Sequence, residues 1–234
     1  MDKYVDMDLI DAVLEKPIGF SIGRRHLNLY QPSLGAKLLI SRALEALQVD
    51  NSIFQTNPFT EALRLCSTKK EEVANLIALK TLRSKDDFFN PVLIKSRAGL
   101  ISKELDTEDL ARLFCVAITD NDVERFLEHI GLNDDKEKRM KVIKSKSRKN
   151  TMIFGGKSIY GVLIDEACQK FGWTLDYVVW GISYTNLKMM LADVISDVYL
   201  TDEELKNLNK GDSSGAISAD DMTNMNMILQ MNWD

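Results

Sequence analysis

The chain has 234 residues, a net charge of −5, 45% hydrophobic and 28% charged residues, and only 12 glycines and 4 prolines. That composition excludes collagen-like, low-complexity and wholly disordered chains. The length suits one large domain or two small ones, with enough chain to bury a real core.

The first residues, MDKYVDMDLIDAVLEK, carry acids at 2, 6, 8, 11 and 15. A signal peptide needs a basic start and an apolar stretch, and no run in the chain approaches the 18 apolar residues of a membrane span. The expectation is a soluble, cytoplasmic protein that contacts no membrane. Asp6 to Glu15 places Met7, Ile10, Val13 and Leu14 on one helical face, and Pro17 stops the helix. Two short alternating runs follow, Ile18–Ile22 and Arg25–Tyr30, joined at Gly23. Glycine supplies the positive φ a tight hairpin turn needs, so this is read as a β-hairpin, the one clear β signal.

Pro32-Ser33 opens a helix to about Leu47, with Leu34, Leu38, Leu39, Ala43 and Leu47 as its apolar stripe. The polar stretch 50–57 is expected to break the helical pattern. Pro58 starts a helix to about Cys66, and Lys69 to Arg83 is another, with Val73, Leu76, Ile77, Leu79 and Leu82 apolar. Phe88 and Phe89 precede Pro91 and are expected to anchor a turn. Ile94 to Glu104 is weakly patterned, whereas TEDLARLFCVAI, with Glu108 and Asp109 in its first turn, reads as a strong helix. Asn121 to Ile130 is a further helix, ended by Gly131.

Residues 136–149 hold eight basic residues and one acid. This reads as an exposed helix or linker. The expected organisation is a β-hairpin plus helical domain over 1–133, the basic segment 134–150, a helical domain over 151–209 and a flexible Met-rich tail over 210–234. In the third part Ser158 to Phe171 is helical and Gly172 ends it as a C-cap. Thr174 caps a short helix to Trp180, and Ser183 opens another to Tyr199. The expected fold class is mainly α, a multi-helix bundle with a small N-terminal β-hairpin. Strands are too few for a doubly wound nucleotide-binding sheet.

Signals for bond-making chemistry are weak. Gly155-Gly156-Lys157-Ser158 resembles the end of a phosphate loop, but the first glycine of GxxxxGK should fall at 151, which is Thr151, and no hydrophobic strand precedes it. A glycine turn with Ser158 near a helix N-cap is the plainer reading. His26 and His129 lie in no metal-ligand spacing, and Cys66, Cys115 and Cys168 form no CxxC pair. The expectation is no enzyme, no metal and no cofactor. The basic segment has no aromatic residue for stacking on bases, and the chain as a whole is acidic, so nucleic-acid binding is the minor reading of 136–149.

Two segments suit protein contact. In Phe171 to Tyr184 five of 14 residues are aromatic, residue types that fill cores and concentrate at interfaces. The tail carries Met222, Met225, Met227, Ile228, Leu229, Met231 and Trp233, and methionine suits adaptable binding surfaces.

The run Phe171-Gly172-Trp173-Thr174-Leu175-Asp176-Tyr177-Val178-Val179-Trp180-Gly181-Ile182-Ser183-Tyr184, followed by Leu187 and Leu191, resembles a corner of bacteriophage tail assembly chaperones. The strand-turn-strand and helix start from Pro17 to Gly35 is similar to how such chaperones begin. The resemblance implies a non-enzymatic module of a phage or prophage tail gene cluster. It would hold a helical, tape measure-like client in apolar grooves, without a cofactor, with a homo-oligomer also possible. By this resemblance Trp173, Tyr177, Trp180, Tyr184, Leu187 and Met190 would form the groove. The tail's own apolar pattern, which has no counterpart in such chaperones, adds the expectation that Met225, Ile228 and Leu229 cover the groove when no client is bound. The alternatives are a structural virion component, such as a connector or baseplate part, and a nucleic-acid-binding regulator using 136–149.

Overall fold

The structure is a computed structural model, described over residues 3–118, 123–129, 158–193 and 199–201 and at positions 132, 138, 141 and 142. The chain divides into two compact units, Met1–Ile130 with Gly155–Val194, and Gly131–Phe154 with Ile195–Asp234. The second lies almost wholly outside the described residues. So do most of the basic segment 136–149, the glycines at 155 and 156, and the tail 210–234 with Met225, Ile228 and Leu229.

The first unit is mainly α with a two-stranded hairpin near its start. α1 (Lys3–Val13) leads into β1 (Ile18–Ile22) and β2 (Arg25–Leu29), which pair antiparallel with Phe20 opposite Leu27. Gly23 turns the hairpin at φ +56°. Then come α2 (Leu34–Leu47), α3 (Asn51–Thr56), α4 (Pro58–Thr68), α5 (Lys70–Lys80), α6 (Lys85–Phe88), α7 (Pro91–Glu104), α8 (Thr107–Ile118) and α9 (Val123–His129). α10 (Ile159–Phe171), a wide π turn (Tyr177–Gly181) and α11 (Tyr184–Ala192) complete it. Among the described residues no helix is long and apolar enough to cross a membrane.

α5 is the centre. Val73, Ala74, Leu76, Ile77, Ala78 and Leu79 are all buried, since apolar residues lie on nearly every side of this helix after its charged first turn. α4, α7 and α8 pack around it, contributing Leu65, Ile101 and Phe114, and the hairpin adds Ile22 and Leu29. Cations close the helix ends around this core, where free carbonyls carry partial negative charge. Lys69 Nζ donates to Leu47 O (2.8 Å), Lys70 Nζ to Leu105 O (2.9 Å), and Arg97 Nη1 to Thr81 O (2.6 Å).

Three local expectations differ from the structure. The helix that Ser183 opens, expected to run to Tyr199, ends at Ala192 with Asp193 as its C-cap. The polar stretch 50–57 contains a helix, α3, because the Asp50 carboxylate accepts the backbone N–H groups of Ser52 and Ile53 and nucleates a turn. Residues 177–181 widen into a π turn where the expectation was an ordinary short helix from Thr174 to Trp180. The ring of Tyr177 lies where a side chain on Gly181 would stand, so glycine lets that turn close.

Residues 158–193, expected within a domain of their own, pack onto the N-terminal elements inside the first unit. Ser33 and Ser183 form an antiparallel bridge, Tyr184 N–H donates to Pro32 O (2.8 Å), and Lys85 pairs with Asp176 (2.5 Å). The basic run 136–149 signals solvation along the chain. It carries no information on where the chain returns afterwards.

Candidate functional site

The bridge between Ser33 and Ser183 brings the starts of two helices together. Ser33 caps α2 and Ser183 caps α11, each hydroxyl accepting a first-turn backbone N–H. The chain entering from α1 meets this junction. α1 closes with Glu15 N–H donating to Ala12 O (3.0 Å) and Lys16 N–H to Asp11 O (3.0 Å), the paired bonds of a Schellman motif. The residue after the helix in that motif must be left-handed and is usually glycine; here it is Glu15, at φ +51°. For a residue with a side chain that conformation costs roughly 1–2 kcal/mol.

The Glu15 carboxylate explains its presence. Its Oε1 accepts Ser183 N–H (2.9 Å) and Asn186 Nδ2 (3.2 Å), so it sits on the N-terminus of α11. Asn186 Nδ2 also donates to Val13 O (3.1 Å), and Gln31 Nε2 to Asp11 O (3.4 Å). The negative end of α1 and the positive end of α11 thus cap each other. Two acceptors at this junction, Gln31 Oε1 and Asn186 Oδ1, are buried without a hydrogen-bond partner among the described residues.

Beside the junction lies a half-open cleft of about 560 Å³. Val13, Leu14 and Glu15 form one wall, Tyr177 with Trp180 to Ser183 another, and Tyr30 to Ser33 a third. Trp180 is its aromatic centre, with Phe88 and Phe89 at ring distances of 5.8 and 5.7 Å. A Cβ on Gly35 would stand 2.8 Å from the indole, so glycine lets the first turn of α2 rest on that ring. At the mouth, the exposed Arg83 guanidinium lies 5.8 Å from the centre of the Tyr30 ring. Leu14 is 70% exposed and Val13 51%, and Tyr177 is exposed as well.

The residues expected to form a groove are only partly brought together. Tyr177 and Trp180 line the cleft. Trp173 stacks between Phe171 (4.7 Å) and Tyr177 (5.1 Å) without lining it. Tyr184 lies beneath Lys37 and Lys188, with Lys37 Nζ 4.9 Å from its ring centre. Leu187 is fully enclosed, packed with Ala167, Val178 and Ile182, so it holds α11 in place and presents nothing to a client. Met190 is exposed on α11 and does not line the cleft. Sequence reasoning missed Val13, Leu14, Glu15, Gln31, Arg83 and Asn186. One signal was available: a glutamate two residues before Pro17, at the position where a glycine helix stop is usual.

Among the described residues no cluster of three or more His, Cys, Asp or Glu side chains could hold a metal ion. A scan against protein-family models and searches of curated proteins and of solved structures found no match to the chain.

Proposed function

We propose that this chain is a protein-interaction module without catalytic chemistry, binding a helical, partly apolar client during assembly of a phage or prophage tail. One observation carries the reading. The two stretches that resemble tail assembly chaperones, 17–35 and 171–191, converge on one cleft, joined by the bridge between Ser33 and Ser183. A cleft floored by tryptophan and rimmed by exposed Val13, Leu14 and Tyr177 is suited to the apolar face of a helix. Single exposed apolar side chains are ordinary, whereas contiguous ones beside a concave surface mark binding sites.

The test is calorimetric titration with a tape measure-like rod segment taken from the same gene cluster. Leu14→Asp should weaken binding by about tenfold or more, since it puts a charge on the rim. Met190→Asp, outside the cleft, should leave binding unchanged. Equal loss in both variants, or loss in Met190→Asp alone, would place the client elsewhere.

A further inference from the structure

α1 is attached to the molecule in an unusual balance. It packs on α9 and α11, yet Ala12 is its one fully buried side chain among those described, while Met7, Ile10, Val13 and Leu14 are exposed. Its apolar stripe therefore faces water, and burial contributes little to holding it down. What fixes it is the polar clasp at its end: the Glu15 carboxylate on Ser183 N–H and Asn186 Nδ2, and Asn186 Nδ2 on Val13 O. That clasp carries a left-handed glutamate and two buried acceptors without partners among the described residues, each a penalty relieved when the segment lifts. Segments with few buried contacts and a strained tether are the ones that open locally.

We infer that α1 is an exchangeable occupant of the face formed by α9 and α11, and that a partner helix followed by a carboxylate takes its place. The chemistry of that partner is set by what α1 presents: a small residue in the place of Ala12 and, after the last turn, an acid that reaches the N-terminus of α11. Departure of α1 also removes the wall that Val13 and Leu14 give the cleft, so a client seated in the cleft holds α1 down and opposes the exchange. The α9–α11 face is thus a second site beyond the cleft, and its test needs no client.

The full chain is compared with Glu15→Ala and Asn186→Ala by hydrogen exchange and by titration with a labelled, C-terminally amidated peptide of residues 3–16. Amides of residues 7–13 should exchange at least a hundredfold faster than those of α5, and each substitution should speed them up to about tenfold relative to α5. The peptide should bind Glu15→Ala saturably and more tightly than the unmodified chain, because the tethered copy competes less well. A peptide with its own glutamate replaced by alanine should bind more weakly. Protection of α1 equal to that of α5 in all three proteins, or no saturable peptide binding to any of them, would overturn the proposal. Failure of tape measure segments to bind, with the peptide still exchanging, would sink only the client assignment.

Discussion

Glu61 shows how one carboxylate can be fully enclosed and still ionised. It accepts Arg64 Nε (2.7 Å) and Nη2 (2.5 Å) and the backbone N–H of Asp50 (2.8 Å). The bond from Arg64 is the main reason its carboxyl is held below the ordinary value of 4.5; burial opposes it, and the Asp50 N–H adds to it. A lowered folded value means that the stability it contributes is complete above 4.5 and is lost as the pH falls through the folded value. Glu61→Gln should therefore lower the denaturation midpoint at pH 7, with the gap to the unmodified protein narrowing at pH 3; a gap that stays constant would contradict this. Cys66 makes the opposite case. Burial first, and the neighbouring Cys115 second, push its thiol up to about 11, and the thiolate is the reactive form. At pH 8 Cys66 should react with a disulfide reagent only as fast as the chain unfolds, and addition of urea should accelerate it in step with the loss of helical circular dichroism.

Helix starts were legible as elements, because the capping residues act locally. Ser33, Asn57, Ser158 and Ser183 each accept a backbone N–H from the first turn of the helix they precede, and Gly172 closes α10 at φ +67°. Serine to alanine at such a cap costs about 1 kcal/mol, so Ser183→Ala should lower stability by about that amount in urea titration. α3 was missed because Asp50 acts through a side-chain bond that hydropathy patterning does not register. At Gly35, helix propensity favours alanine by about 1 kcal/mol, but the added Cβ would stand 2.8 Å from the Trp180 ring. Overpacking of this kind costs about 1–3 kcal/mol, so the clash wins and Gly35→Ala should destabilise. A more stable Gly35→Ala protein would mean that Trp180 yields easily.

For the whole molecule, the centre and the rim should answer differently to the same kind of change. Leu76, in the middle of α5, is fully enclosed, and Leu14 is mostly in water. Leu76→Ala should cost about 2–5 kcal/mol of global stability, whereas Leu14→Ala should stay within about 0.5 kcal/mol. Both are read from denaturant midpoints at constant slope. A large effect at Leu14 would mean that α1 is an integral part of the core, contrary to its exposure. The candidate cleft is likewise a property of the whole, since residues 13–15, 30–33, 177, 180–183 and 186 meet only in the folded chain.

Local chemistry wrote the mainly helical class, the hairpin at Gly23 and most helix boundaries into the sequence, because periodicity, caps and glycine turns act over a few neighbouring residues. Tertiary structure alone decided that Trp180 turns inward toward Phe88, that Leu187 is enclosed while Leu14 is not, and that Glu15 reaches Ser183 across 168 positions. Those outcomes depend on which helix ends meet, and the pairing of a negative helix end with a positive one is settled by the packing of distant segments around α5.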